Sequence, residues 1–252
     1  MLRKRERNLS VRTGLAAAVA LALVAMTQQA VAQTTVGEVD FDGTTTGLTN
    51  FIQRPAPCAF SSPGDGFQQY NSGDSAPFSL LDDSGEEFTP DTLGIVDTTG
   101  STTNGDYAYN GFFGVTDTEN GDNSGPVTAT WTFDISSVTS NLDVSIDFGA
   151  MGDFEASSDS FDFTYSIDSG GTAPLFTSSV DESATQSYTM ASGTPVSEDD
   201  PLQMNGTTLD NDFQTLLASI PSIGSSLDIT LTAETNGGSE AFAFDNILVT
   251  GD

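Results

Sequence analysis

Acidic side chains carry almost all the chemistry this sequence could perform. Glu38, Asp40 and Asp42 fall at the first strand-like segment, and Glu240 and Asp245 fall at the last. Asp117, Glu119 and Asp122 share a Gly/Asn-rich turn, and Asp153, Glu155 and Asp159 share another connection. Carboxylates gathered on turns suit calcium, which takes about six to eight oxygens at roughly 2.3–2.6 Å. If the terminal strands pair, their acids converge, and bare carboxylates at close range repel unless a cation joins them. Residues two apart on a strand, such as Glu38 and Asp40, share a face. The expected site is therefore a structural Ca2+ held by Glu38, Asp40 and Asp245, with Glu240 as a helper. The Asp117 turn is the next candidate. It is not an EF-hand loop, because Gly121 stands at the fifth place and no Glu closes a twelve-residue loop.

Other chemistries are excluded by what is missing. The chain has no His, one Cys and six Lys+Arg. Arg3, Lys4, Arg5, Arg7 and Arg12 lie at the N-terminus, and Arg54 is the remaining base. Histidine catalysis, His metal ligation, a Schiff-base lysine beyond the N-terminus and a phosphate groove lined by arginines are ruled out, so nucleic acid is not a partner. A hydrolase would need paired acids, about 5–5.5 Å apart when retaining and about 6.5–9.5 Å when inverting. Glu155 with Asp162 is one pair the composition permits, but the E-x-D-x-x-E strand motif is absent. The chain reads as non-enzymatic. A carbohydrate would instead stack on exposed aromatics, for which Tyr107, Tyr109, Phe112 and Phe113 form the richest run, with Phe67 and Tyr70 in a Pro-rich region. Trp131 faces inward on its strand. Cys58 has no partner for an intrachain disulfide.

These residues need a scaffold, and the scaffold is written in period two. Val127–Phe133, Leu142–Phe148, Phe161–Ile167 and Leu227–Leu231 alternate apolar with Thr, Ser or Asp, the mark of strands with one face on a core and one in water. Val36–Phe41, Tyr107–Val115, Gln186–Met190 and Phe242–Val249 are further strands. Phe213, Leu216 and Leu217, after Asn211-Asp212 and before Pro221, predict one short helix. Residues 52–105 are the least regular, with long loops and one or two short strands. The absence of βαβ alternation and heptads leaves an all-β, antiparallel jelly-roll β-sandwich over residues 33–252, with first and last strands adjacent.

Four stretches carry a resemblance: Gly105–Asp117, Phe133–Ser136 followed by Leu142–Phe148, Tyr165–Gly170 and the closing Gly238–Gly251, whose Glu240–Gly251 part is the most specific. Together they resemble lectin-like jelly-roll modules of secreted bacterial proteins, over roughly residues 36–251. Such modules often stand beside extracellular nucleases or other hydrolases. The resemblance implies a concanavalin- or galactose-binding-like sandwich, an accessory binding role toward an extracellular polysaccharide or surface polymer, and often a structural calcium. A structural surface or matrix protein without a small ligand, and a carboxylate-based glycosidase or lyase, are the alternatives.

Residues 1–32 have the layout of a signal peptide: a basic start, an apolar run from Leu15 to Met26, and Ala30-Val31-Ala32 as the cleavage pattern. The apolar run is short of the ~20 residues a bilayer span needs. Cleavage before Gln33 yields a secreted, extracellular chain without a membrane span. It removes five bases and Glu6 from the 6 bases and 36 acids, which leaves 1 base, 35 acids and a net charge of −34. Such a surface repels itself until salt screens it, so a saline or calcium-containing exterior is expected.

Overall fold

In the computed structural model, which describes residues 33–62, 65–70, 111–189, 195–238 and 240–252, the alternating segments are strands buried on alternate side chains. Along Val127–Asp134 (β6), Val127, Ala129, Trp131 and Phe133 are buried while Thr128, Thr130 and Thr132 are half-buried. Ser226–Glu234 (β16) and Ser160–Ile167 (β8) share the pattern. With Leu48–Arg54 (β3) and Ala173–Phe176 (β9) they form a five-stranded antiparallel sheet in the order β3-β6-β16-β8-β9.

The second sheet is built around its longest strand, Glu240–Gly251 (β17). On one side β17 pairs along most of its length with Leu142–Gly152 (β7), which pairs outward with Gln214–Ile220 (β15). On the other side its C-terminal half pairs with Thr34–Val39 (β1), and its N-terminal part with Phe112–Thr116 (β5). Thr45–Thr46 (β2) and Gly66–Tyr70 (β4) complete seven strands. The first and last strands are adjacent as expected, from Thr34 opposite Gly251 to Val39 opposite Ile247. Two small sheets accompany these: Ser178–Val180 (β10) with Leu202–Met204 (β13) and Thr207–Thr208 (β14), and the hairpin of Thr185–Thr189 (β11) and Pro195–Asp199 (β12).

The inward faces of the two large sheets meet in an aromatic core. Phe113 and Phe244 stack at 5.1 Å between ring centres, and Trp131 meets both edge-on at 5.5 Å. Phe161, Phe163, Phe148 and Phe242 continue the layer. Each buried ring contributes about 1.5–3 kcal/mol of transfer free energy, so these five strands hold the sandwich without a disulfide. The sheets approach closely at Gly37, where a Cβ would lie 2.6 Å from a ring carbon of Phe133.

The predicted helix is a correction. Phe213–Leu217 does not coil; Gln214–Ile220 is β15, laddered to β7 with Leu216 opposite Ile146 and Ile220 opposite Leu142. Leu216 fits both patterns, helical spacing with Phe213 and Leu217 and period two with Ala218 and Ile220. Pairing with an exposed edge of β7 decides between them. Leu217 is left pointing outward, 67% exposed. There is no helix among the described residues. The leader, Tyr107 and Tyr109 lie outside the described residues.

Candidate metal centre and binding face

The two large sheets run out together at one end of the sandwich. There β7 continues four residues beyond Phe148 to Gly152, which lies opposite Glu240 at the start of β17. The chain leaving β7 forms a single turn closed by Asp159 N–H donating to the Glu155 carbonyl at 2.8 Å. Asp159 caps its own turn, its Oδ2 accepting from the Glu155 N–H at 2.7 Å. Asp159 is thereby turned inward, 7% exposed, just before β8 begins.

The connection from β16 to β17 closes the same end. Thr235 is fully buried, its carbonyl accepting from Glu119 N–H at 2.8 Å and its N–H donating to Thr118 Oγ1 at 3.1 Å. Thr235 Oγ1 donates to Glu240 Oε2 at 3.2 Å, and Thr116 Oγ1 donates to the Glu240 carbonyl at 2.7 Å. Gly237 lies against the Glu240 carboxylate, where a Cβ would meet both oxygens at 2.3 Å. Glu240 is 2% exposed.

These elements bring Glu155, Asp159 and Glu240 together, one carboxylate oxygen of each lying within 4.8 Å of the other two. Asp159 Oδ1 is buried without a hydrogen-bond partner. Burial raises the Asp159 carboxyl above its ordinary range, against the hydrogen bonds from Glu155, Thr235 and Asn236. Burial, then the negative charge of Asp159, raises Glu155 as well. The sequence placed Glu155 and Asp159 in one acidic group and Glu240 in another; the register of β7 against β17 unites them.

The other expected ligands lie elsewhere. Glu38 is opposite Leu248, eight residues along β17 from Glu240 and so about 25 Å away at the strand rise. Asp40 caps a turn, accepting from Thr44 N–H at 2.7 Å and Asp42 N–H at 3.0 Å. Burial raises its carboxyl, but these bonds outweigh it and hold the group below its ordinary range. Asp245 is opposite Asp147 and accepts from the Asn246 N–H at 2.7 Å and the Asn246 side-chain amide at 3.1 Å. That amide also donates to Asp147 at 2.8 Å. Asp245 is buried, 4% exposed, on the face of β17 opposite the core residue Phe244, just before the bulge in which Asn246 has φ 52°. The structure therefore does not gather Glu38, Asp40 and Asp245 with Glu240.

Asp117 stands at the same end as the carboxylate triad but outside it. Its carboxyl is pushed up to about 6, by burial first and then by the charge and shared hydrogen bond of Asp65. Asp122 accepts from the Ser61 N–H and hydroxyl, both at 2.6 Å. Asp162, the partner considered for Glu155 in hydrolysis, is held by the Ser178 N–H at 2.9 Å.

Of the expected aromatic platform, Phe112 is among the described residues and is buried. Phe112 is 5% exposed, stacked on Tyr70 at 5.6 Å in a satellite core with Met151, Tyr188 and Val196. Strand β5 is covered on both faces, by the main core and by this cluster, so every residue from Phe112 to Thr116 is buried. Phe67 and Tyr70 are buried too. Trp131, 1% exposed, is core as expected.

Among the described residues, the outward face of the five-stranded sheet is polar and half-buried. Thr130 lies opposite Thr230, Thr230 opposite Thr164, and Ile52 opposite Thr130. Thr130 and Thr230 hydroxyls are 2.9 Å apart, and Asp228 accepts from Thr132 at 2.8 Å and Ser166 at 3.3 Å. Ile52, 46% exposed, sits at the rim of this hydroxyl-rich surface, and its neighbour Phe51, 41% exposed, leans over the edge against Trp131 at 5.2 Å.

No family model and no curated protein matches this chain. Among solved structures it is similar to the CBM22-1 xylan-binding domain of Paenibacillus barcinonensis Xyn10C, at 10% identity over 88% of this chain and 96% of that one, with a TM-score of 0.33. It is also similar to TmCBM61 in complex with beta-1,4-galactotriose, at 10% identity over 57% and 72% of the two chains and a TM-score of 0.30. A third likeness is to the enzymatically active domain of tailspike protein 4 of bacteriophage CBA120, at 12% identity over 61% and 18%, with a TM-score of 0.29. Likenesses at this level speak to neither ligand nor activity.

Proposed function

We propose that this chain is an exported, non-enzymatic, carbohydrate-binding accessory module that holds a neutral, hydroxyl-rich extracellular polymer, with calcium supporting its fold. The observation that carries the ligand reading is the polar outward face of the five-stranded sheet. Its Thr side chains are stiff at χ1, so their hydroxyls are oriented before a ligand arrives, and Asp228 and Asp162 add acceptors along the same face. Hydroxyls and carboxylates in rows match a polymer that is itself rich in hydroxyl donors. The net charge opposes polyanions such as nucleic acids and uronate chains. Recognition through hydrogen bonds replaces the stacking platform that Phe112 does not provide.

Affinity electrophoresis against neutral and uronate polysaccharides tests this. Retardation by a neutral polymer, weakened at least tenfold in Thr230→Arg, is the expected result. Retardation unchanged by Thr230→Arg moves the site off this face, and none on a broad neutral panel favours a structural matrix role. Export is tested by the intact mass of secreted material, expected to begin at Gln33. Salt adaptation is tested by melting in rising NaCl, expected to raise the melting temperature as screening weakens the charge repulsion.

A further inference from the structure

The triad at the end of the sandwich is costly as it stands. Two buried carboxylates and a third at the surface converge in a chain whose one base after Arg12 is Arg54. Burying an unpaired charge costs several kcal/mol unless a partner or a metal meets it. The fold nevertheless turns Asp159 into this position, 7% exposed, and leaves its Oδ1 without a hydrogen-bond partner. It also spares the space beside Glu240 by placing Gly237 there. A buried oxygen given no donor, on a carboxylate that meets two others, marks a place built for a cation.

We propose that Glu155, Asp159 and Glu240 bind one calcium ion, which joins the β7–β8 turn to the start of β17. The donor set is all hard oxygen, with no His in the chain and Cys58 exposed, which suits calcium rather than zinc or copper. Two oxygens each about 2.3–2.6 Å from one ion stand at most about 5 Å apart, and the triad's ligand atoms lie within 4.8 Å of one another. Glu155 is exposed, so the ion has an entry route and room for water to complete its coordination. The site ties two segments distant in sequence, so its ion stabilises tertiary closure of this end. It specifies where the calcium of the functional reading sits and does not depend on the polymer.

Thermal melting of the purified protein in calcium, magnesium and chelator tests the site, with Glu155→Gln, Asp159→Asn and Asp245→Asn as variants. At a hundredfold excess over the dissociation constant, calcium raises the wild-type melting temperature by about 5–10 °C, and chelator reverses the rise. Asp159→Asn abolishes the rise, Glu155→Gln weakens calcium affinity at least tenfold, and Asp245→Asn keeps the full response. Because Glu155 is exposed, Glu155→Gln decides the matter if Asp159→Asn does not fold. No calcium-dependent rise in wild type overturns the proposal. So does a rise retained in full by Glu155→Gln, or an equal rise with magnesium, which would make the site unselective. Polymer binding can fail with this response intact, and the response can fail with polymer binding intact.

Discussion

Two groups of acids sit on the same strand and behave oppositely. At the middle of β17, Asp245 is met by the Asn246 amides, and nearby Asp40 by the amides of its own turn. At the N-terminal end of β17, Glu240 faces Asp159 and Glu155. The first group is balanced by local donors, and the second converges on a point where Asp159 Oδ1 has none. The number of acids is similar in both places. What separates them is donor supply: a carboxylate that caps a turn is already stabilised by N–H groups, whereas carboxylates that face one another need a proton or a cation.

The widest contrast is between either group and the core they share. Phe244→Ala removes a buried ring packed against Phe113, Trp131 and Phe163. It should cost about 3–5 kcal/mol, by the same amount in calcium and in chelator when followed by urea unfolding. A calcium-dependent cost would mean the core and the metal end are not separable. Gly237→Ala is the next largest. Its Cβ displaces the Glu240 carboxylate without changing any charge, and should remove most of the calcium-dependent stabilisation, about 2–3 kcal/mol at hundredfold excess. Calcium titration of the melting temperature reads it, and a full response in Gly237→Ala would dissociate Glu240 from the site.

The pH dependence sharpens the comparison within the metal end. Asp117 has its carboxyl raised from 3.8 to about 6. A raised value means the protonated form is favoured by folding, so this contribution is complete below about 3.8 and lost as pH rises through about 6. Asp117→Asn, which resembles the protonated acid and tolerates the φ of 40° there, should match wild type at pH 4. At pH 7.5 in chelator it should exceed wild type by about 1 kcal/mol, the full shift being reduced by solvent screening. Equal stability at both pH values would show that neither burial nor Asp65 raises the Asp117 carboxyl. The smallest effect is expected from Asp245→Asn. Relief of the repulsion with Asp147 offsets weaker hydrogen bonds to Asn246, so the change should stay below about 1 kcal/mol and be the same with and without calcium.

Much of this was legible in the residues. Trp131 and its alternating neighbours marked β6, and the pairing of terminal strands came from the jelly-roll expectation. β3 was not legible, because Leu48–Arg54 is an edge strand with most side chains exposed and no alternation to read. β15 read as a helix because Phe213, Leu216 and Leu217 stand at helical spacing, which masked the period two of Leu216, Ala218 and Ile220. The site was half-legible: Glu155, Asp159 and Glu240 were each candidates. What joined them was the extension of β7 through Gly149-Ala150-Met151-Gly152, a run with no alternation, covered on both faces. Without that extension Glu240 has no reason to meet the β7–β8 turn, and the terminal-strand junction looks the better site. Gly237 was the missed signal, a glycine three residues before a buried Glu.

The most direct test is the calcium content of the protein after dialysis against micromolar calcium, measured by atomic emission. The account predicts one calcium per chain in wild type and in Asp245→Asn, and none in Asp159→Asn. Wild type without calcium, or Asp159→Asn retaining as much as wild type, would contradict it.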